Sequence, residues 1–396
     1  MKFALVILLL ALLLPPASMA ADDDAPTLAF LRFGQSPSFA LTDRAVLDML
    51  EVYGFINAEE RATMEAGNDL HGENINILYR DAGFDLPTAN LMVEDALDEG
   101  ADVILTVSTQ VGMIALGAMS DMEDPPALIF AIVTDPHASG LATATCIKPP
   151  NVTGTLMHFD YEEYTNIAYL QDPDFQSIGL LANADDPATA GYISTIQQFG
   201  EEYGFTVEVE TVVTAADYAL GTDSLVDSGV DVIVLPPRTG SSAGISAIVE
   251  SAYGVPVFSP LVSDVIHGVT IAAGFEGWYR EGIHAARMVI GYLEGNLDIA
   301  TTAIASTPGF AVAVKNDSAD APGVVFTEAL LAEVDYIVQD GVIMSEGALF
   351  EIPGEIGLSE MTLQERRAED VAFLENLHCS PDMIAEQLST LTKAEN

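Results

Sequence analysis

One segment of the sequence carries the pattern of a hydrolase nucleophile. Gly240-Ser241-Ser242-Ala243-Gly244 matches G-x-S-x-G between a strand-like run and a helical run, where such enzymes place a nucleophilic serine. Ser242 would attack, with Asp264 and His267 following as acid and base, but these two lie only three residues apart. That fold places them on loops after different strands. A loop of small residues opening a helix over a ligand explains the same letters, so the hydrolase is the weaker hypothesis.

The remaining residues that could bind a metal or a cofactor do not form a recognisable site. No two histidines lie four residues apart, and none belongs to a Cys/His cluster with the spacing of metal ligands. The histidines are His71, His137, His158, His267, His284 and His378. There is no P-loop and no G-x-G-x-x-G. The sequence therefore predicts no metal, no cofactor and no catalytic residue.

The first twenty residues have the layout of a cleavable signal peptide. Lys2 precedes a twelve-residue apolar run, Phe3–Leu14, and Ser18-Met19-Ala20 places small residues at the two positions that signal peptidase reads. An uncleaved anchor is the alternative, but the run is shorter than the roughly 20 residues that span a bilayer. No cysteine lies near the cleavage site, so a lipid anchor is not expected. We expect a periplasmic or secreted protein starting at Ala21.

The two cysteines and the charge agree with an exported protein. Cys146 and Cys379 are predicted to form a disulfide that ties the C-terminal tail to the body, with two separate buried thiols as the alternative. The formal charge is −47, from 13 Lys plus Arg against 60 Asp plus Glu. Such a surface repels nucleic acid and anionic lipids, so neither is an expected partner. Adaptation to high salt explains this acidity, as does descent in a lineage with acidic proteins.

The elements that must position any site alternate along the chain from Thr27. Near-continuous apolar runs, such as Val103–Val107 and Leu128–Val133, alternate with amphipathic stretches such as Thr109–Met119. This pattern predicts a doubly wound α/β fold with parallel sheets covered on both faces. The 396-residue chain is too long for one core and suits two domains.

The alternation is interrupted in three places. Residues 57–74 form a polar insertion between the first helix and the second strand. Residues 135–154 are rich in Pro, Gly and Thr, which suits a crossing between domains. Beyond Gly347 the alternation fades, and Met361 to Leu391 is predicted to form one or two charged helices that strap the surface.

A set of ordered landmarks resembles one family. Ile129–Pro136, followed by Gly140-Leu141 and Asn151-Val152-Thr153-Gly154, is similar to the "PIVFA-VTDP-GAGLV" and "NVTG" segments of solute-binding proteins of ABC importers, specifically the tryptophan/tyrosine type. Further similar segments follow in order between Leu28 and Gly295: Asp102–Thr109, Ile178–Asn183, Asp231–Pro236 and Trp278–Gly282. The 57–74 insertion, the cysteine-bearing stretch, the tail, and Pro237-Arg238 depart from the family pattern.

The resemblance implies a type I periplasmic binding protein with two Rossmann-like lobes joined by crossing hinge segments. Residues 1–20 are then the signal peptide and 346–396 a helical tail. Lobe 1 is expected to comprise 21–139 and 276–305, and lobe 2 to comprise 140–275 and 306–345. Such lobes close on a ligand by hinge motion, and the expected partners are a small solute and, transiently, a membrane ABC permease. We expect a monomer.

Ligands of open α/β sheets bind beyond the carboxyl ends of the strands, which places the candidate site in the loops there. For an α-amino acid, Asp135 or Glu276 would accept the ammonium group. Arg238 or the helix start at Ser108-Thr109 would hold the carboxylate. The candidate ligand residues are Phe33, Ser36, Ser108, Thr109, Asp135, Asn183, Arg238, Thr239, Ser241, Phe275 and Glu276.

Purely structural roles remain possible for several of these residues. Phe33 and Phe275 could flank an apolar group of the ligand or only fill the core, and Asp135 could only cap its turn. A ligand-sensing subunit that docks on a membrane receptor is an alternative function with the same lobes. The sequence does not select the solute.

Overall fold

The computed structural model describes residues 25–183, 189–212, 215–235, 242–316, 324–339, 342–343 and 361–394. The predicted signal peptide and the candidate ligand residues Arg238, Thr239 and Ser241 lie outside these ranges. Within the ranges, the strands fall into two sheets, each flanked by helices. The predicted two-lobed α/β fold is confirmed.

The sheet of lobe 1 contains seven strands within the described residues, in the order β12-β6-β5-β4-β1-β3-β2. Its strands are β1 (Thr27–Arg32), β2 (Leu70–His71), β3 (Asn76–Asp81), β4 (Val103–Val107), β5 (Ala127–Val133), β6 (Val152–Met157) and β12 (Ala305–Thr307). Its helices are α1 (Pro37–Val52), α2 (Ala58–Glu65), α3 (Leu86–Asp98), α4 (Thr109–Met119) and α9 (Trp278–Leu293). All neighbouring strands are parallel except β2, which runs antiparallel to β3.

The sheet of lobe 2 contains eight strands within the described residues, in the order β15-β14-β13-β11-β10-β9-β7-β8. Its strands are β7 (Ser177–Asn183), β8 (Thr206–Val212), β9 (Val232–Val234), β10 (Val257–Leu261), β11 (Ile271–Phe275), β13 (Phe310–Lys315), β14 (Tyr336–Gln339) and β15 (Val342–Ile343). Its helices are α5 (Tyr161–Gln171), α6 (Thr189–Tyr203), α7 (Ala215–Ser228), α8 (Ser242–Ser251) and α10 (Glu328–Leu331). A short 3-10 helix, Val262–His267, follows β10, and another, Ile299–Thr301, precedes β12 in lobe 1.

Two features differ from the prediction. The sheets are mixed rather than wholly parallel, because β13 returns antiparallel to β11 and short antiparallel strands close the edges at β2 and β15. The first crossing also comes later than residue 140. Val152 pairs with Leu128 of β5, so β6 stays in lobe 1, and β12 joins lobe 1 beside β6. Among the described residues, the chain therefore passes between the sheets at 158–160, 276–277 and 308–309.

Each sheet is buried on both faces, as the continuous apolar runs predict. In β1, Leu28 and Phe30 point into the core beneath α1 and α9, while Ala29 and Leu31 point into the core beneath α3 and α4. Every residue of β5 is buried. The same two-sided arrangement holds for lobe 2. This burial fixes the strand register and therefore the positions of the loops at the carboxyl edges.

Local signals fix where the helices of lobe 1 start. The Ser36 hydroxyl accepts a hydrogen bond from Phe39 N at 3.1 Å and begins α1. The Asp85 carboxylate accepts one from Thr88 N at 2.8 Å and begins α3. Both caps satisfy N–H groups that have no partner inside the helix.

The 57–74 insertion and the C-terminal tail both pack on lobe 1. The insertion contains α2, which starts with a capping box between Asn57 and Glu60, and the edge strand β2. The tail forms α11 (Leu363–Asn376) and α12 (Pro381–Ala394), and Cys146 is bonded to Cys379. No helix within the described residues is long and apolar enough to cross a bilayer.

The tail is fastened by charged and aromatic contacts to α9. Arg287 donates from Nε to Asp370 at 2.5 Å, and both side chains are buried. Phe373 stacks on the His284 ring at a centroid distance of 4.5 Å. Asp370 also accepts a hydrogen bond from the Tyr53 hydroxyl. The tail is therefore part of lobe 1, which agrees with a surface strap.

Candidate functional site

The strand order places several of the predicted ligand residues along one edge of lobe 1. The carboxyl ends of β3, β1, β4, β5 and β6 follow one another across the sheet, so the loops after them form a continuous wall. Phe33, Ser36, Ser108, Thr109 and Asp135 all belong to this wall. Lobe 2 contributes the carboxyl ends of β7, β9 and β11, and the crossings join the two lobes. The candidate site is this cleft.

Ser108 begins α4 in a strained backbone conformation. Its φ is +123°, in the region that residues other than glycine avoid. Its hydroxyl accepts from Val111 N at 3.5 Å, and its N–H donates to Ala131 O at 3.1 Å. The hydroxyl thus caps its own helix, while the first N–H groups of α4, beginning at Thr109, face the carboxyl edge. Strain of this kind is found where a binding surface demands it.

Asp135 both caps its turn and reaches toward lobe 2. One carboxylate oxygen accepts hydrogen bonds from His137 N at 2.9 Å and Ala138 N at 3.0 Å. The other points at the first turn of α6, where a methyl group added at Gly191 would lie 3.8 Å from it. Asp135 therefore caps its own turn with one oxygen and faces α6 of lobe 2 with the other.

Glu276 lies in the crossing between β11 and α9, and one oxygen of its carboxylate has no partner among the described residues. Its N–H donates to Gly309 O at 3.3 Å, which joins this crossing to the one at 308–309. The side-chain oxygen Oε2 is buried and has no hydrogen-bond partner among the described residues. Burial raises the pKa of this carboxyl from 4.5 to about 7. An unsatisfied acceptor at this depth is costly, so a cationic ligand group would stabilise it.

A column of aromatic rings packs the crossings. Successive centroids are 5.2 to 6.3 Å apart along Phe39, Trp278, Phe275, Phe159, Tyr161 and Tyr192. The column starts on α1 of lobe 1 and ends on α6 of lobe 2, where the Tyr192 hydroxyl donates to Leu235 O at 2.9 Å. This aromatic column packs the crossings at 158–160 and 276–277 together into one hinge.

The other predicted residues take varied positions. Phe275 is fully buried in the aromatic column, so in this conformation it packs the hinge and presents no surface to a ligand. Ser36 is half-buried and caps α1. Phe33 is half-buried and meets the Phe84 ring edge-on at 5.7 Å. Asn183 ends β7, and its side chain lies outside the described residues.

A cavity of about 910 Å³ lies between α1, α2 and the strands β1 and β3, and Ser36 is part of its lining. Arg32 is buried there, bonded to Asp43 at 2.7 Å and to Asp81 at 3.2 Å, with its guanidinium 4.3 Å from the centre of the Tyr79 ring. Burial raises the pKa of Asp43 to about 6. Both terminal nitrogens of Arg32 are already paired with these carboxylates, so we do not assign Arg32 to a ligand carboxylate in the cleft.

Two groups of residues at the site escaped the sequence reasoning. Phe159 and Tyr161 come just after β6, and they lie at the crossing because β6 belongs to the lobe-1 sheet. Phe84 follows β3, next to the polar insertion, and the pair Phe33 and Phe84 could have been suggested by the shared position after neighbouring strands. No group of three or more metal-ligating side chains converges within the part of the chain that the structure describes.

The comparisons with known proteins agree with this architecture. A family model described as ABC transporter substrate binding protein matches residues 51–338, which is most of the chain. The chain belongs to this family. Substrate-binding proteins of ABC transporters are extracytoplasmic and work with a membrane permease. The resemblance seen in the sequence is thereby confirmed.

Individual relatives of this substrate-binding protein are distant. A tyrosine-binding protein of Clostridioides difficile strain R20291 is 24% identical over 258 residues, covering 64% of this chain and 72% of the relative. A Streptococcus pneumoniae ABC domain solved with L-Trp is 19% identical with a TM-score of 0.67, covering 79% of this chain and 100% of that one.

A ligand-free, open substrate-binding protein with adhesive properties from Clostridium difficile is 20% identical with a TM-score of 0.61, covering 80% of this chain and 99% of that one. At these identities the solved structures establish the fold, that of the type I periplasmic binding proteins.

Proposed function

We propose that this substrate-binding protein binds a zwitterionic amino acid with an aromatic or other apolar side chain in the interlobe cleft and delivers it to an ABC permease. The observation that carries the proposal is the Glu276 oxygen Oε2, which is buried at the hinge and has no hydrogen-bond partner among the described residues. An ammonium group is the natural partner for such a carboxylate in a site that excludes water. The names of the relatives, a tyrosine-binding protein and a complex with L-Trp, support the same class of solute.

The proposed ligand geometry assigns one charge to each side of the cleft. Glu276, with Asp135 across from α6, would bind the ammonium group. The N–H groups at the start of α4 would bind the carboxylate, since a helix N-terminus favours an anion. Arg238 is a second proposed carboxylate partner from lobe 2. Closure of the lobes around the aromatic column would then enclose the solute.

We also propose that the protein catalyses nothing and acts as a monomer in the periplasm after removal of residues 1–20. Against a hydrolase stands the position of Asp264. Its carboxylate is buried and accepts a hydrogen bond from the Ser259 hydroxyl at 2.6 Å, so its hydrogen bond goes to a serine and not to a catalytic histidine. Cleavage of p-nitrophenyl esters that is lost in Ser242→Ala would contradict this part of the proposal.

The test of the solute class is a thermal-shift series on the mature protein in molar salt. The probes are tyrosine, tryptophan and phenylalanine, each paired with its N-acetyl derivative and its amide. A ligand at 100 times its Kd adds about 2.7 kcal/mol of stability, a shift of about 5–11 °C for lobes of this size. We expect a shift with the free amino acids and none with either derivative. Equal shifts with the N-acetyl compounds would exclude the role given to Glu276.

A further inference from the structure

The turn after β3 contains an aromatic residue in an unusual backbone conformation. Gly83 and Phe84 have φ values of +59° and +62°, and Asp85 N donates to Ala82 O at 3.0 Å across them. Two successive positive φ values closed by such a hydrogen bond are the pattern of a type I′ turn, which favours Gly, Asn and Asp at both positions. A phenylalanine in the second position breaks this rule, since its side chain strains the left-handed region.

The neighbouring loop is shaped to receive the Phe84 ring. Phe84 N donates to Phe33 O at 2.7 Å, which ties the turn to the loop after β1. A methyl group added at Gly34 would lie 2.5 to 2.6 Å from three ring atoms of Phe84, so the ring rests on the bare backbone of Gly34. Phe33 supports it edge-on. The ring is therefore held in one place.

Phe84 is nevertheless 51% exposed. Packing and turn geometry do not explain a phenylalanine at this position. A residue needed for packing would be buried, and a residue needed for the turn would be a glycine. Strained backbone clusters at ligand-binding sites, so a strained turn with an exposed aromatic side chain at the carboxyl edge of the sheet points to a binding surface. The position fits, because β3 lies next to β1 in the sheet and its loop extends the lobe-1 wall of the cleft by one strand.

We propose that Phe84 is an apolar platform of the solute cleft, on which the flat side chain of an aromatic amino acid stacks, and that it sets the preference for aromatic over small solutes. The proposal rests on the proposed function and adds its specificity residue. Phe33 and Gly34 are positioning residues, because they hold the Phe84 ring in place.

The decisive variant is Phe84→Gly, because platform and packing roles predict different combinations of effects. Glycine relieves the positive φ, so the melting temperature of the unliganded protein should stay the same or rise. Kd for tyrosine or tryptophan should weaken about tenfold, the size of one lost aromatic contact with its apolar area. Kd for alanine, measured by the same calorimetry, should change less than about twofold.

Tyr253→Gly is the matched control. Tyr253 is also an aromatic residue with positive φ, +48°, and is 76% exposed. It precedes β10, however, so it lies at the amino end of the lobe-2 strands and not at the carboxyl end, where the cleft is. This variant should relieve strain without changing either Kd. Gly34→Ala should reproduce the selectivity loss, because the added methyl group displaces the ring. Combining it with Phe84→Gly should then add little further loss.

Other results would contradict specific parts of this proposal. A Phe84→Gly protein that loses stability and keeps its tyrosine-to-alanine Kd ratio overturns the platform. So does an unchanged ratio with slower delivery to the permease, which would assign Phe84 to docking. If the unaltered protein binds no amino acid, the proposed function itself fails, which the control measurement on that protein distinguishes.

Discussion

Replacing Glu276 with glutamine should make the unliganded protein more stable and the solute complex weaker. The carboxyl has a pKa of about 7 in the folded protein and 4.5 as its ordinary value. Between these values the folded state holds a proton that the unfolded state has lost, so stability falls as the pH rises from about 4.5 to about 7. At about 1.4 kcal/mol per pH unit, ionisation costs the folded protein up to about 3 kcal/mol above pH 7.

The glutamine variant removes that cost. We expect Glu276→Gln to raise the free energy of unfolding by up to about 3 kcal/mol at pH 8 and to leave it unchanged at pH 4.5. Urea titrations at the two pH values in molar salt measure the difference. Glu281→Gln is the matched control, because Glu281 is a buried carboxyl on α9 whose pKa burial also raises to about 7. It lies five residues along the chain and accepts a hydrogen bond from Thr307 at 3.1 Å.

Binding should show the opposite sign. An ammonium group beside Glu276 favours the ionised form, so solute binding should release up to one proton near pH 6–7. Affinity should rise up to about tenfold between pH 6 and pH 7 and level off above it. Isothermal titration calorimetry in phosphate and in Tris, buffers of different ionisation enthalpy, counts the protons. Affinity that is independent of pH in the unaltered protein, or Glu276→Gln binding as tightly as the unaltered protein, would refute the reasoning, whereas Glu281→Gln should bind normally.

Two further predictions concern the rest of the molecule. Cys379→Ser should lower the free energy of unfolding by about 2–5 kcal/mol, because the disulfide restricts the unfolded chain. Solute Kd should stay within about twofold, since the tail is attached to lobe 1 through Cys146, His284 and Arg287. A large change in Kd would mean that the tail governs closure. Reducing the salt from 1 M to 0.1 M lengthens the screening distance from about 3 to about 10 Å. At a net charge of −47 the melting temperature should therefore fall, and an uncharged osmolyte should not replace the salt; an unchanged melting temperature would argue against salt adaptation.

Much of the fold was predictable because its signals are local. Val103–Val107 is an apolar run that coincides with β4, and Ser36 and Asp85 cap the helices that follow them. The lobe of β6 was not predictable in this way. Its assignment depends on the pairing of Val152 with Leu128, and the Pro- and Gly-rich stretch before it looks like a crossing although it stays in lobe 1.

The site was harder to predict than the fold. The strand order brings Ser108 and Asp135 to one edge, so their neighbourhood follows from the pattern of parallel strands. Phe275 is the last residue of a strand in the same pattern, yet it is buried in the hinge, because only packing decides which way a residue at a strand end points. Phe84 breaks the local rule for its turn, so no propensity argument selects it.

The disulfide has a topological consequence for lobe 2. Cys146 and Cys379 are 233 residues apart, and every described strand of lobe 2 lies between them. Lobe 2 therefore belongs to a covalently closed loop of chain, and the disulfide that closes the loop lies on lobe 1. A protease that cuts lobe 2 once opens this closed loop but separates nothing: the two pieces remain one molecule until the disulfide is reduced. A single cut in lobe 2 would thus leave the two pieces together, where the paired strands can hold them in register.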